Sequence, residues 1–131
     1  MNRTTFPLLA LQQLREAQRD EHRRQLQAVR VSEAATQVAI EDLRLCLEQL
    51  RDRLRGATTP GVLEIDDLLQ LKRQQQALRD QLRQRQRCCE ELRVQTEQQH
   101  AALAAADREV RLLERLAQRY QQRATIRDRG H

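Results

Sequence analysis

Gly56-Ala57-Thr58-Thr59-Pro60-Gly61 decides how this chain folds, because it is the one strong interruption in 131 residues of helix-forming sequence. Gly56 is free to take the left-handed conformation that closes a helix. Pro60 lacks the amide N–H an incoming helix would need, and Gly61 loosens the backbone again. The expected architecture is all-α: two long helices forming an antiparallel coiled-coil hairpin, the second helix longer. Helix one should cover about 6–55, the hairpin 56–61 and helix two about 63–127, in a single domain spanning 1–131. Asp66 and Asp67 sit near the start of the second helix, where negative charge suits the helix dipole.

Working outward towards the C-terminus, steps of three and four from Leu68 meet Leu71, Gln75, Leu78, Leu82, Arg85, Cys89, Leu92, Thr96, Gln99, Leu103, Ala106, Val110, Leu113, Ala117, Tyr120 and Ala124. Only Gln75, Arg85, Thr96 and Gln99 interrupt the stripe with strongly polar groups. An apolar seam held this long without a skip specifies packing against another helix with a left-handed supercoil. Working back towards the N-terminus, Ile40, Leu43, Leu47, Leu50 and Leu54 form the same pattern, continued by Leu26 and Val29. Glu33 and Thr36 break its apolar character, and near the start the stripe drifts to Leu11 and Leu14. Acids precede arginines by three or four residues at Asp20–Arg24, Asp52–Arg55, Glu90–Arg93 and Asp107–Arg111, which stiffens helices without making sites.

Composition agrees. Charged residues make up 33% of the chain and aromatics 2%, too few rings to anchor a globular core. The net charge is +5, but acids are interleaved with the arginines, as Glu16, Asp20 and Glu21 are among Arg15, Arg19, Arg23 and Arg24. Mixed signs read as a solvated helical face rather than a phosphate-binding strip. Three cysteines without CxxC spacing argue against structural zinc, with Cys89 in the core and Cys88 on a flank. No stretch is apolar enough for a spanning segment. The chain offers no Gly-rich phosphate loop and no Ser/His/Asp set, and a two-helix fold has no concave cavity to exclude water. A non-enzymatic protein with no cofactor and no metal is expected. His22 and His100 could approach each other, but histidines on helix faces are usually solvated.

A chain folded at 58–59 would place Leu54 near Leu63, Leu43 near residue 74 and Leu8 near residue 109. The second helix would then project past the first from roughly Arg111 onward. That projection would carry Leu112, Leu113, Leu116, Tyr120 and Ile126 beside a stripe of Arg111, Arg115, Arg119, Arg123 and Arg127. Unpartnered apolar residues beside charge of one sign mark a docking surface.

The opening Phe6-Pro7-Leu8-Leu9-Ala10-Leu11-Gln12-Gln13-Leu14-Arg15-Glu16, with Arg19-Asp20-Glu21 and Arg23-Arg24-Gln25-Leu26 after it, resembles the flagellar export protein FliJ family. Glu109-Val110-Arg111-Leu112-Leu113-Glu114-Arg115-Leu116 is similar to that family's C-terminal Leu-Glu-x-Leu helix, and stalk proteins of the YscO type are close structural relatives. The resemblance implies a cytoplasmic component of a type III export machine, peripheral at the cytoplasmic face of the cell membrane. Its implied partners are an export ATPase hexamer (FliI-like), an export gate protein (FlhA-like) and export chaperones. It further implies an ATPase-ring-binding end formed by Leu8, Leu11, Leu14, Arg15, Leu112, Arg115, Leu116, Arg119 and Tyr120. Gate contact would fall on Leu71, Gln75, Leu78 and Leu82. A monomer, no nucleic acid and membrane contact only through partner proteins complete the expectation. The competing readings are a generic coiled-coil scaffold or dimeric adaptor and, with less support, a basic nucleic-acid binder, for which stacking aromatics are lacking.

Overall fold

The computed structural model describes residues 5–57 and 64–129, with side chains over 7–56 and 64–129. Two α-helices account for nearly all of them: α1, Thr5–Ala57, and α2, Ile65–Arg129. The helices pack against each other as a hairpin with α2 the longer. The expected hairpin residues Thr58, Thr59, Pro60 and Gly61, together with Leu63, lie outside the described residues, as does the side chain of Phe6.

Gly56 does not close α1. The helix runs through it to Ala57, so its freedom to turn left-handed goes unused. At the other end of the connection the Glu64 carbonyl accepts the Leu68 N–H at 3.1 Å, which opens α2, with Asp66 and Asp67 in its first turn.

The chain divides into two compact units. One comprises Met1–Val29 with Gln95–His131, the other Arg30–Val94. In the second unit the α1 seam is Glu33, Thr36, Ile40, Leu43, Leu47, Leu50 and Leu54, all at least partly buried. Thr36 is buried although polar, because its hydroxyl donates to the Ser32 carbonyl at 2.9 Å and needs nothing from α2. Cys89 is buried, and its Sγ accepts a hydrogen bond from Gln37 Nε2 at 3.2 Å, while Cys88 is exposed. Gln74 and Leu78 share a groove with Cys46, Gln49 and Leu50, so residue 74 faces the neighbourhood of Leu50, not Leu43 as the symmetric fold required.

In the first unit the three-four rhythm of α1 does not drift. It continues back from Leu26 through His22, Arg19, Arg15, Gln12 and Leu8, each partly buried, while Leu11 and Leu14 are exposed. His22 therefore occupies the seam rather than a solvated face, with its Nδ1 buried and unpartnered. The α2 side is Gln99, Leu103, Ala106, Val110, Leu113 and Ala117, and Val110 is the most enclosed at 1% exposure. Leu8, Leu9 and Gln12 line a shallow cleft with Ala117, Tyr120 and Gln121.

Leu8 thus meets residues two to three helical turns further along α2 than residue 109. The projection from Arg111 does not exist, since Val110, Leu113 and Ala117 are packed against α1. Beyond Ala117, α2 is exposed throughout from Gln118 to Arg129, with Tyr120 and Gln121 still bordering the cleft at Leu8. The physical reason is a competition between loop symmetry and seam matching. Doubling a loop costs only about 0.6 kcal/mol, whereas burying one more Leu or Val contributes about 1.5–3 kcal/mol. The register that buries Leu47, Leu50, Val110 and Leu113 therefore prevails, and Ile65 is left exposed at the start of α2.

An ideal Cβ on Gly56 would meet nothing within 4 Å. Gly56→Ala should then raise stability by about 0.5–1 kcal/mol through helix propensity alone. Thermal unfolding followed by circular dichroism reads this as a higher Tm; an unchanged or lower Tm would mean that α1 ends before Gly56.

Candidate partner-binding surface

The first unit is where the candidate surface lies, and its register is fixed by charge as well as by apolar packing. Arg15 Nη1 lies 3.5 Å from Glu109 Oε2 on one border of the seam. Asp107 receives Arg19 at 4.0 Å and Arg23 at 3.8 Å on the other. These pairs are all partly solvent-exposed, Arg19 and Asp107 least so, and open to screening they select a register more than they stabilise it. The expected i,i+4 pairs within each helix give way to other partners. Asp107 faces α1 instead of Arg111, and Asp20 pairs with Arg19 and Arg23 instead of Arg24. Arg24 donates instead to Glu21 at 2.7 Å, which holds that carboxyl below its ordinary range. Arg15 and Arg19 occupy apolar seam positions, where their aliphatic stems can cover carbon while the guanidinium heads reach the acids.

With Leu8, Gln12, Arg15 and Arg19 on the α1 seam and Ala106, Val110, Leu113 and Ala117 on the α2 seam, heptad geometry sorts the other residues. In an antiparallel pair the same flanking position of both helices borders the same side of the seam. Leu11 precedes a seam residue on α1 and Leu116 does so on α2, so both stand on the side that carries Glu109. Leu14 and Leu112 lie one step further round on that same side. Leu112 is 59% exposed, Leu14 and Leu11 are also exposed, and Leu116 is partly buried. Arg119 follows Leu112 by one heptad and extends this face with positive charge. The result is an apolar quartet contributed equally by both helices, with a cation at its end.

The remaining expected ring-contact residues are distributed otherwise. Leu8 and Tyr120 line the cleft on the opposite side. Arg15 is held by Glu109. Arg115 is exposed on the outer face of α2, seven residues after Arg108. Between Ala101 and Gln122 that outer face, read at the three heptad positions furthest from the seam, contains Arg108, Arg111, Arg115 and Arg119 and no acid. The last three were expected from the sequence. Arg108 and the exposed Leu9 were not, because the symmetric register gave α2 a free end and drew attention away from its paired portion.

The four expected gate-contact residues belong to the second unit. Leu71, Gln75, Leu78 and Leu82 are all partly buried in the seam, turned towards α1. A partner could reach only their edges. Among the described residues there is no group of His, Cys, Asp and Glu able to hold a metal ion, and no helix long and apolar enough to cross a membrane. No family model, curated protein or solved structure matches the chain.

The division between seam and surface predicts two classes of substitution. Leu14→Ser and Leu112→Ser should shift stability by no more than about 0.5 kcal/mol, as exposed positions do. Val110→Asp, which buries an unpaired carboxylate, should cost more than about 3 kcal/mol. Denaturant melts of the three variants measure both; comparable losses at all three would place Leu14 and Leu112 in the core.

Proposed function

We propose that this chain is a non-enzymatic stalk of a type III protein export machine, of the FliJ/YscO kind, which binds the export ATPase ring through the end that carries both chain termini. The observation that carries the reading is the quartet of exposed Leu11, Leu14 and Leu112 with the partly buried Leu116, and Arg119 beside it. An apolar cluster drawn from two helices, with Arg119 at its end, fits a groove lined by apolar and acidic side chains, as a helix pair entering a ring would meet. The sequence resemblance assigns all five of these positions to ring contact. Gate contact and chaperone escort accompany the reading, with the gate reaching the seam edge near Leu71, Gln75, Leu78 and Leu82.

The arrangement favours association and disfavours catalysis on physical grounds. Its grooves are open to solvent, and an open groove neither concentrates charge nor excludes water. A binding role needs only what the surface offers: apolar area that is costly to leave in water, and charges that steer encounter.

Purified flagellar export ATPase should be captured by the full chain and stimulated in its turnover. Leu14→Glu/Leu112→Glu should reduce capture at least about tenfold, because a charge at a desolvated contact costs more than about 1.4 kcal/mol, with the melting curve unchanged. Equal capture by both chains would move the contact off the quartet. Failure of the unaltered chain to bind or stimulate would contradict the stalk role.

A further inference from the structure

Helix α1 carries a second apolar stripe that neither the seam nor the proposed ring contact uses. Val31, Val38 and Leu45 are spaced by seven residues, and each is more than half exposed. All three lie in the second unit, at the heptad position opposite the seam formed by Thr36, Ile40, Leu43 and Leu47. Single exposed apolar residues are ordinary. Three in strict heptad spacing on the face turned away from α2 are not, because nothing within the hairpin selects them. Ala34 and Ala35, both exposed, sit between the first two and keep that stretch narrow enough for close helix approach.

The residues around the stripe identify its occupant. Read along α1 in steps of seven, the positions are Arg24, Val31, Val38, Leu45 and Asp52. The same series read backwards is acid, apolar, apolar, apolar, base. One flanking row is Asp20, Gln27, Ala34, Glu41, Glu48 and Arg55. Reversed about Val38, it sets Asp20 against Arg55, Gln27 against Glu48 and Ala34 against Glu41. The other flanking row sets Ala35 against Asp42 and Ala28 against Gln49. Reversal of the helix therefore brings no charge against its like: each faces an opposite charge, an amide or a small residue. A two-fold contact has this requirement, because residue i meets j and j meets i across the axis.

We infer that the outer face of α1 is a self-association surface, on which a second copy of this chain docks antiparallel with Val38 at the two-fold axis. Val38 meets the Val38 of the second copy, Val31 meets Leu45, Arg24 meets Asp52 and Asp20 meets Arg55. A parallel pairing would instead stack Asp52 near Asp52 and Arg24 near Arg24, which like-charge repulsion disfavours. The acids nearest the axis, Glu41 and Asp42, stand opposite Ala34 and Ala35. At about 1.5 Å per residue they lie roughly 9 and 12 Å along the axis from their own counterparts, beyond the ~8 Å over which physiological salt screens exposed charges. The in-chain partners of Asp52 and Arg24 do not block the contact. Asp52 lies 3.9 Å from Arg55 in an exposed pair, and Arg24 retains unused donors beside its bonds to Glu21. The contact is one helix wide, so it belongs among weak, reversible interfaces. The surface is separate from the Leu11–Leu14–Leu112–Leu116 quartet and stands or falls independently of the export role. The monomer expected from sequence is then the dilute form.

Sedimentation equilibrium of the full chain, from low to high micromolar concentration, tests this directly. A monomer–dimer equilibrium is expected. Val38→Glu places two carboxylates on the axis and should abolish the dimer, leaving the circular dichroism melt of the hairpin unchanged. Gln27→Arg, opposite Glu48, adds two attractive pairs by symmetry and should tighten the dimer. Arg24→Glu and Asp52→Arg should each weaken it, and the double variant should restore it. Monomer at every concentration overturns the inference. So does a dimer indifferent to Val38→Glu or to Gln27→Arg, and so does failure of the double charge reversal to restore association. A face that captures only a basic helical peptide and never itself would show as the first of these.

Discussion

Everything in this fold depends on one constraint: each helix has one long apolar seam in three-four rhythm, and the other helix covers it. Neither helix could persist alone on intrinsic propensity with so many polar side chains, because helices in water gain most of their stability from the face they bury. Two stripes in three-four rhythm, joined by one short interruption, leave antiparallel packing as the way to remove both from water. Val110, Leu113, Ile40, Leu47 and Leu50 are the consequence. The polar residues admitted to the seam include several with a local remedy: Thr36 bonds back to Ser32, and Arg15 and Arg19 extend to acids at the border.

The seam also determines what remains outside it. Because Leu8 reaches Tyr120 and Arg15 reaches Glu109, Leu11 and Leu14 are turned out beside Leu112 and Leu116. A register two turns shorter would keep the same faces turned inward but leave a bare arm instead of a two-helix surface. The candidate partner surface is in this sense a by-product of register, and charge pairs that are individually weak help to choose it. The outer stripe of α1 has a different origin. It follows from heptad spacing at a position the hairpin does not need, with its ends, Arg24 and Asp52, of opposite sign as a reversed copy of the helix requires.

The all-α class, the two helices, the greater length of the second and the α2 seam from Leu68 to Ala117, Arg85 excepted, were legible in the sequence, because periodicity is a local property that every heptad repeats; Arg85, Tyr120 and Ala124 of the expected stripe are exposed. Cys89 in the core and Cys88 on a flank followed from the same count. Register was not legible, because it depends on matching two long stripes whose layers are nearly interchangeable, and the turn alone does not break that degeneracy. The start of α1 was misread for a related reason. His22, Arg19, Arg15 and Gln12 continue the seam in phase, but their polarity hid the continuation, and the neighbouring Leu11 and Leu14 drew the stripe off course. Several ring-contact positions implied by the resemblance nevertheless fall together on one face, because they are apolar residues near both termini, and that property survives a change of register.

Disulfide trapping of the register is the most direct test of the account. In a background with Cys46, Cys88 and Cys89 replaced by serine, one variant carries Leu8→Cys with Ala117→Cys and another carries Leu8→Cys with Glu109→Cys. The described packing predicts rapid intramolecular oxidation of the first pair and none of the second, since bridged Cα atoms must lie within about 7 Å. Oxidation of the second pair alone would restore the shorter register, free the arm beyond Arg111 and contradict the two-helix partner surface.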